Sequence, residues 1–292
     1  MKKILFVTNM EQTADLLKDS LQKAQMQAGT EINGEVCYLQ SDSVWDKSWE
    51  NIFLGCETVI FPWMGTGLNT KFLSESSSYL QYHQIKHLYL MSGNPGDVLH
   101  TVFTEMEITT IKQYYTYGGL QNWCNLWLWL VRETLPKKSD IELPMQLPWD
   151  GIYHPRAQKI YTELAEYKKE FFNNTQPVIA VVFYRNDWLW NNIVFADNMI
   201  SEIEKQGCNP LCFFSTSAPD EDNSCTGFKG ALQKYLIDEG KAAADVFINT
   251  IKFSLFSIRA CALDDLKTLN ISVLQAYTLY RTYQEWYEIL MV

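Results

Sequence analysis

Long apolar runs are missing from this 292-residue sequence. No stretch approaches the ~20 residues that a membrane-spanning helix needs, which excludes an α-helical span. The first residues, MKKILFVTN, start like a signal peptide. Their apolar run covers only Ile4 to Val7, too short for its hydrophobic region, so a cytoplasmic protein is expected. Cationic runs are missing too: none exceeds a pair such as Lys137-Lys138, and the net charge is −10. A nucleic-acid binder needs a cationic stripe to displace counterions, so nucleic acid is excluded and an anionic membrane surface disfavoured. Paired cysteines are absent as well. The seven cysteines (37, 56, 124, 208, 212, 225, 261) include no CxxC pair, and reduced, buried thiols are expected.

Histidine is scarce. His83 and His87 stand four apart but straddle a helix end and the next strand, and no HExxH pattern accompanies them, so no metal site is expected. His100 sits alone on a helix. No Ser/His/Asp, Cys/His or paired-carboxylate spacing is defensible, and the chain by itself shows no catalytic residue.

What is present is a globular composition, 47% hydrophobic and 20% charged, with ten Trp and sixteen Tyr. So many aromatics suit large cores and a protein interface; a flat apolar ligand site is the alternative. Short β-branched or aromatic runs alternate with helical patterns, which predicts α/β architecture with parallel sheets. The expected strands are 3–8, 35–39, 58–63, 87–91, 177–184, 210–216, 245–250 and 271–276. Helices are expected over 12–27, 98–114, 119–134, 156–173, 192–206, 227–238 and 256–268, with an unfinished helix over 286–292. Pro136, Pro144, Pro148 and Pro155 fall in a segment read as extended linker, since proline fixes φ and removes a donor. This gives an N-terminal α/β domain over 1–135, a linker over 136–155, and a second α/β domain over 156–292, truncated at its C-terminus. The halves look like two Rossmann-like or flavodoxin-like copies.

Ligands of such sheets sit outside the carboxyl ends of the strands. There, Met64-Gly65-Thr66-Gly67-Leu68-Asn69-Thr70 imitates a nucleotide loop, but Thr70 stands where the fingerprint wants a third glycine and no Gly-Lys-Ser/Thr follows. A tight turn with Asn69 or Thr70 near the cap competes with an anion or interface site built on Thr66 and Gly67. Gly93 to Asp97 reads as turn chemistry, and Gly118-Gly119 as a close backbone approach. His154 is forced extended by Pro155 and is either a hydrogen-bonded structural histidine or a ligand. Arg185 could clamp a carboxylate and Trp188 stack on a flat ring; a surface pair with Asp187 and simple packing is the alternative.

The ordered string WMGTGL (63–68), YGGLQN (117–122), GIYHPRA (151–157), VVFYRNDWLWNN (181–192), QGCNPLCFF (206–214) and ISVLQAYTLYRTYQEW (271–286) resembles the opening of the CobN/BchH-type large, porphyrin-binding subunit of cobaltochelatase and magnesium chelatase. The sequence departs from it at Asn186 and Asp187, where the family often carries Ser and His. The resemblance implies a ligase that inserts cobalt or magnesium into a tetrapyrrole, as in cobalamin biosynthesis, with ATP used by separate AAA-type ATPase subunits. Members are far longer, so the piece is expected to lack catalysis, to hold no cofactor, and to contribute a tetrapyrrole wall or a docking surface. The alternatives are a heme or corrinoid carrier, or part of a heme dechelatase. His154, Arg185, Trp188, Thr66 and Gly67 are the candidate substrate-binding residues.

Overall fold

The computed structural model describes residues 3–39, 49–64, 70–92, 100–101, 103–135, 140–251, 270–278 and 287. The chain divides into two units, 1–147 and 148–292.

In the first unit β1 (Lys3–Thr8), β2 (Gly34–Tyr38), β3 (Cys56–Met64) and β4 (Lys86–Ser92) are parallel, and β5 (His100–Thr101) runs antiparallel on the edge; the order is β2-β1-β3-β4-β5. The apparent signal start is therefore a buried strand. Helix α1 (Glu11–Ala28) ends on Gly29 at φ 62°, the left-handed geometry that glycine adopts freely. It shares one face of the sheet with α4 (Gly119–Leu130), whose Asn122 to Leu128 are all buried, as an almost wholly apolar helix requires. Phe6 meets Trp123 and Trp127 at 6.0 and 4.4 Å, and Trp127 Nε1 donates to Leu17 O and Ser20 Oγ. Gly34 is obligatory here: a Cβ would stand 2.7 Å from the Trp127 ring. The opposite face buries Phe53, Phe61, Phe72 and Tyr89 beneath α2 (Thr70–Tyr82). Helix α3 (Glu105–Tyr117) opens on a Thr104/Glu107 capping box. Gly118 and Gly119, at φ 67° and 81°, then turn the chain into α4.

In the second unit β6 (Gly151–Ile152), β7 (Val178–Tyr184), β8 (Asn209–Ser215), β11 (Val246–Asn249) and β12 (Ser272–Gln275) form a sheet ordered β12-β11-β7-β8-β6. Only β6 is antiparallel among these pairings. α5 (Leu164–Phe171) and α8 (Gly227–Tyr235) cover one face with Tyr167, Phe228 and Tyr235, and α7 (Val194–Lys205) covers the other with Ile200 and Ile203. The parallel strands of both units follow one relative order, second-first-third-fourth, which is the flavodoxin-like arrangement. The expectation of two α/β copies with parallel sheets holds.

Several local expectations fail. The helix expected over 156–173 is only α5, because Ile152 and Tyr161 exchange both backbone hydrogen bonds and hold 156–163 out of helix. Residues 151–152, read as linker, form β6 against Phe213 and Phe214 of β8. The start of the helix expected over 98–114 is strand β5, paired to His87 and Leu88. A short α6 (Arg185–Leu189) follows β7. A hairpin of β9 (Ile237–Asp238) and β10 (Lys241–Ala242) turns on Glu239 and Gly240, both at positive φ. The expected helices over 256–268 and 286–292, and the turn expected over 93–97, lie outside the described residues, apart from Tyr287.

Candidate functional site at the carboxyl edge of the second unit

The strand order of the second unit reverses between β7 and β11, so the ends of these strands mark the place where such sheets hold ligands. β7 delivers Arg185 and Asp187 through the sharp α6 turn, β8 delivers Ser215, and β11 delivers Asn249 and Thr250; all five are buried. Buried polar groups must be hydrogen-bonded, so their partners decide what the edge can do.

Arg185 is 3% exposed. Its Nε donates to Pro148 O at 2.7 Å, and its guanidinium lies 4.2 Å from the centre of the Trp149 ring. Burial pulls its pKa down to about 10, which still leaves it charged at neutral pH. The side chain thus clasps the segment leading into the second unit, and Trp149 covers it. Asp150 extends the clasp, accepting from Tyr235 Oη at 2.6 Å and Lys234 Nζ at 3.0 Å. Trp188 is stacked on Phe214, centroids 4.6 Å apart and planes 10° from parallel.

His154 stands elsewhere, stacked on Phe171 at 4.0 Å and 1% exposed. Its Nδ1 accepts from Arg156 N at 3.2 Å, and its Nε2 lies 3.4 Å from Glu204 Oε1 without a hydrogen bond. Arg156 grips both Glu204 oxygens at 2.8 and 2.6 Å, which holds that carboxyl below its usual range. His154 is itself held below its ordinary value, chiefly by burial. Thr66 and Gly67 lie outside the described residues; the nearby Trp63 is buried, and its Nε1 has no hydrogen-bond partner among the described residues. The structure therefore brings Arg185 and Trp188 to one edge and leaves His154 apart, between Phe171 of α5 and Glu204 of α7.

Residues not named as candidates complete the edge, although two of the motifs contain Asn209 and Gln275. Asn249 Nδ2 donates to Gln275 Oε1 at 2.8 Å, while Gln275 Nε2 donates to Asn249 O and Ile251 O at 2.9 and 3.2 Å. This amide interlock ties the tips of β11 and β12. At the other end of the sheet, Asn209 pins Asn173 and Gln176 through three backbone contacts. An amide close to a strand end was the available signal in both cases.

Among the described residues no group of three metal-ligating side chains occurs, and no helix is long and apolar enough to cross a membrane. The described cysteines are free, and burial pushes the Cys212 thiol strongly upward. A cleft of about 120 Å³ opens in the first unit between Lys86, Phe103, Glu107, Trp129 and Arg132. That is well below the roughly 300–1,000 Å³ of small-molecule sites.

The fold and its edge define a pair of doubly wound α/β units in which the described candidates Arg185, His154 and Trp188 pack on the chain's own backbone and rings. Residues 112–290 match the CobN/magnesium chelatase family, and the chain belongs to that family. The match takes in every motif from YGGLQN onward, while WMGTGL precedes it. Two uncharacterized proteins of Methanocaldococcus jannaschii are 30% and 27% identical over 183 and 181 residues, which is 60% and 59% of this chain but 15% and 14% of theirs. The aerobic cobaltochelatase subunit CobN of Pseudomonas aeruginosa is 28% identical over 99 residues, 34% of this chain and 8% of that subunit. In structure, the catalytic subunit of cobaltochelatase from Mycobacterium tuberculosis aligns over 98% of this chain and 22% of its own, with TM-score 0.55 and 16% identity. That likeness concerns the fold. The chain spans less than a quarter of the length of each of these relatives.

Proposed function

We propose that this chain serves ATP-dependent metal insertion into a tetrapyrrole as a non-catalytic part of a chelatase large subunit, acting as a docking scaffold. The observation that carries this reading is where the motif side chains go: Arg185 onto Pro148 and Trp149, His154 onto Phe171 and Arg156, and Trp188 onto Phe214. Groups spent on the chain's own backbone and rings are not presented to a tetrapyrrole. In this reading AAA-type ATPase subunits hydrolyse the ATP, and cobalt or magnesium is substrate rather than resident cofactor. Metal–nitrogen bond formation belongs to the parts of the long relatives that this chain does not span.

A titration of the purified chain with heme and with a metal-free corrinoid, read by absorbance and tryptophan quenching, tests the reading. The scaffold role expects no stoichiometric complex with either. A tight one-to-one complex would replace it with a tetrapyrrole carrier, and Arg185→Ala would then show whether the guanidinium takes part.

A further inference from the structure

β12 and β4 occupy equivalent positions, each fourth in the parallel order of its unit. Their surroundings differ. In β4, Leu88, Tyr89 and Leu90 are buried, and the outer edge is covered by the antiparallel pairing of His87 and Leu88 with β5. In β12 all four residues are exposed, with Val273 at 42% and Leu274 at 55%, and Tyr277 just beyond stands at 70%. Among the described residues β12 pairs only with β11. Natural sheets protect such edges with charges, proline or a covering element. Ser272, Val273, Leu274 and Gln275 include neither charge nor proline.

We propose that β12 pairs antiparallel with β12 of a second copy of this chain, joining the two second-unit sheets across a twofold axis. Three observations favour this occupant. The equivalent edge of the first unit takes an antiparallel strand, and two identical strands paired that way are related by a twofold, so each donor row meets a matching acceptor row. The edge is uncharged in a chain of net charge −10, so the seam keeps repelling charge away from the strands themselves. Finally, successive residues of a strand point to opposite faces. With the axis through Val273 and normal to the sheet, Val273 faces Val273 of the second copy on one face of the joined sheet, and on the other face each Leu274 faces Ser272, contacts of the kind that stabilise sheets. This inference is independent of the scaffold reading.

Light scattering on the eluting chain over a range of concentrations tests it, with hydrogen exchange at residues 272–275 as a second readout. The expected mass is twice 33.9 kDa, with slowed exchange at those amides. Val273→Lys and Leu274→Lys should each restore the monomer and fast exchange. Both side chains are exposed, so circular dichroism should stay unchanged and the melting temperature should equal that of the native chain diluted to its monomer, which separates loss of pairing from loss of fold. A monomer at every concentration overturns the proposal, whether its β12 amides exchange freely or are protected from within the chain. So does a dimer indifferent to both lysines, and so does an edge protected only by an AAA-type ATPase subunit.

Discussion

Asn122 reads both polar atoms of the Met145 backbone: its Nδ2 donates to Met145 O at 2.8 Å, and its Oδ1 accepts from Met145 N at 2.9 Å. The same Nδ2 donates to Gly118 O at 2.7 Å. Asn125 and Tyr114 repeat the device at Glu142, Asn125 Oδ1 accepting from its N and Tyr114 Oη donating to its O. A proline-containing strap with few donors is thereby held against a buried helix by side chains that imitate a β-pairing. This explains two buried asparagines in a largely apolar helix.

Asn122→Ala leaves those backbone groups without their partner. Losing a buried hydrogen-bonded group of this kind costs about 1–3 kcal/mol. The expected outcome is faster amide exchange at Met145 and a lower denaturant midpoint for the first unit. Unchanged exchange at Met145 would remove Asn122 from this role.

His154 gives a pH dependence with a definite sign. Burial first, and then Arg156, pull its pKa below the ordinary value of about 6.5, against the opposing pull of Glu204 and Glu170. The unfolded chain therefore takes up a proton as pH falls through 6.5 while the folded chain resists it, so folding weakens below that pH. Glu204 is depressed, so its contribution is present above the ordinary carboxylate value and is lost only in more acidic solution. Between about pH 6.5 and 5 the histidine dominates this pair. Urea midpoints should fall across that window in the native protein and fall less in His154→Gln, which does not titrate. Equal slopes in the two proteins would contradict the assignment.

Arg185 should not tolerate lysine. The guanidinium plane lies over Trp149 while Nε bonds Pro148 O, a geometry that an ammonium lacks. Removing a charged hydrogen bond costs about 1.5–3 kcal/mol. Arg185→Ala and Arg185→Lys are both expected to destabilise the second unit and to change the emission of Trp149. A lysine variant as stable as the native protein would show that charge alone suffices.

Strands 3–8, 177–184 and 210–216 were legible because buried parallel strands are unbroken apolar runs, and α1, α4 and α7 because they carry long helical patterns. The two-residue strands β5, β6, β9 and β10 were not, since their pairing is set by partners distant in sequence or by a positive-φ turn. Residues 156–163 look helical locally, yet the Tyr161–Ile152 bridge overrides that preference. In the candidate site, Pro155 drew attention to His154 and the strand end drew attention to Arg185. Their actual work was hidden, because a polar side chain chooses between ligand and backbone only once tertiary structure supplies the carbonyls. Asn122, Asn209 and Asn249 were illegible for the same reason.

Trp188 supplies packing to the α6 turn through Phe214, and parallel aromatic pairs contribute about 0.5–1.5 kcal/mol beyond their buried area. Trp188→Phe should therefore retain most of the stability, while Trp188→Ala should lower the denaturant midpoint clearly. Equal losses in the two variants would argue against the stacked arrangement.

The central claim is that a chain of this family, with Arg185, His154 and Trp188 turned onto its own backbone and rings, scaffolds chelation without holding the tetrapyrrole. Equilibrium titration of the native chain with heme and with a metal-free corrinoid tests it most directly. The account predicts no saturable one-to-one change in absorbance or tryptophan emission. A stoichiometric complex with either ligand, weakened by Arg185→Ala in a protein that remains folded, would contradict it.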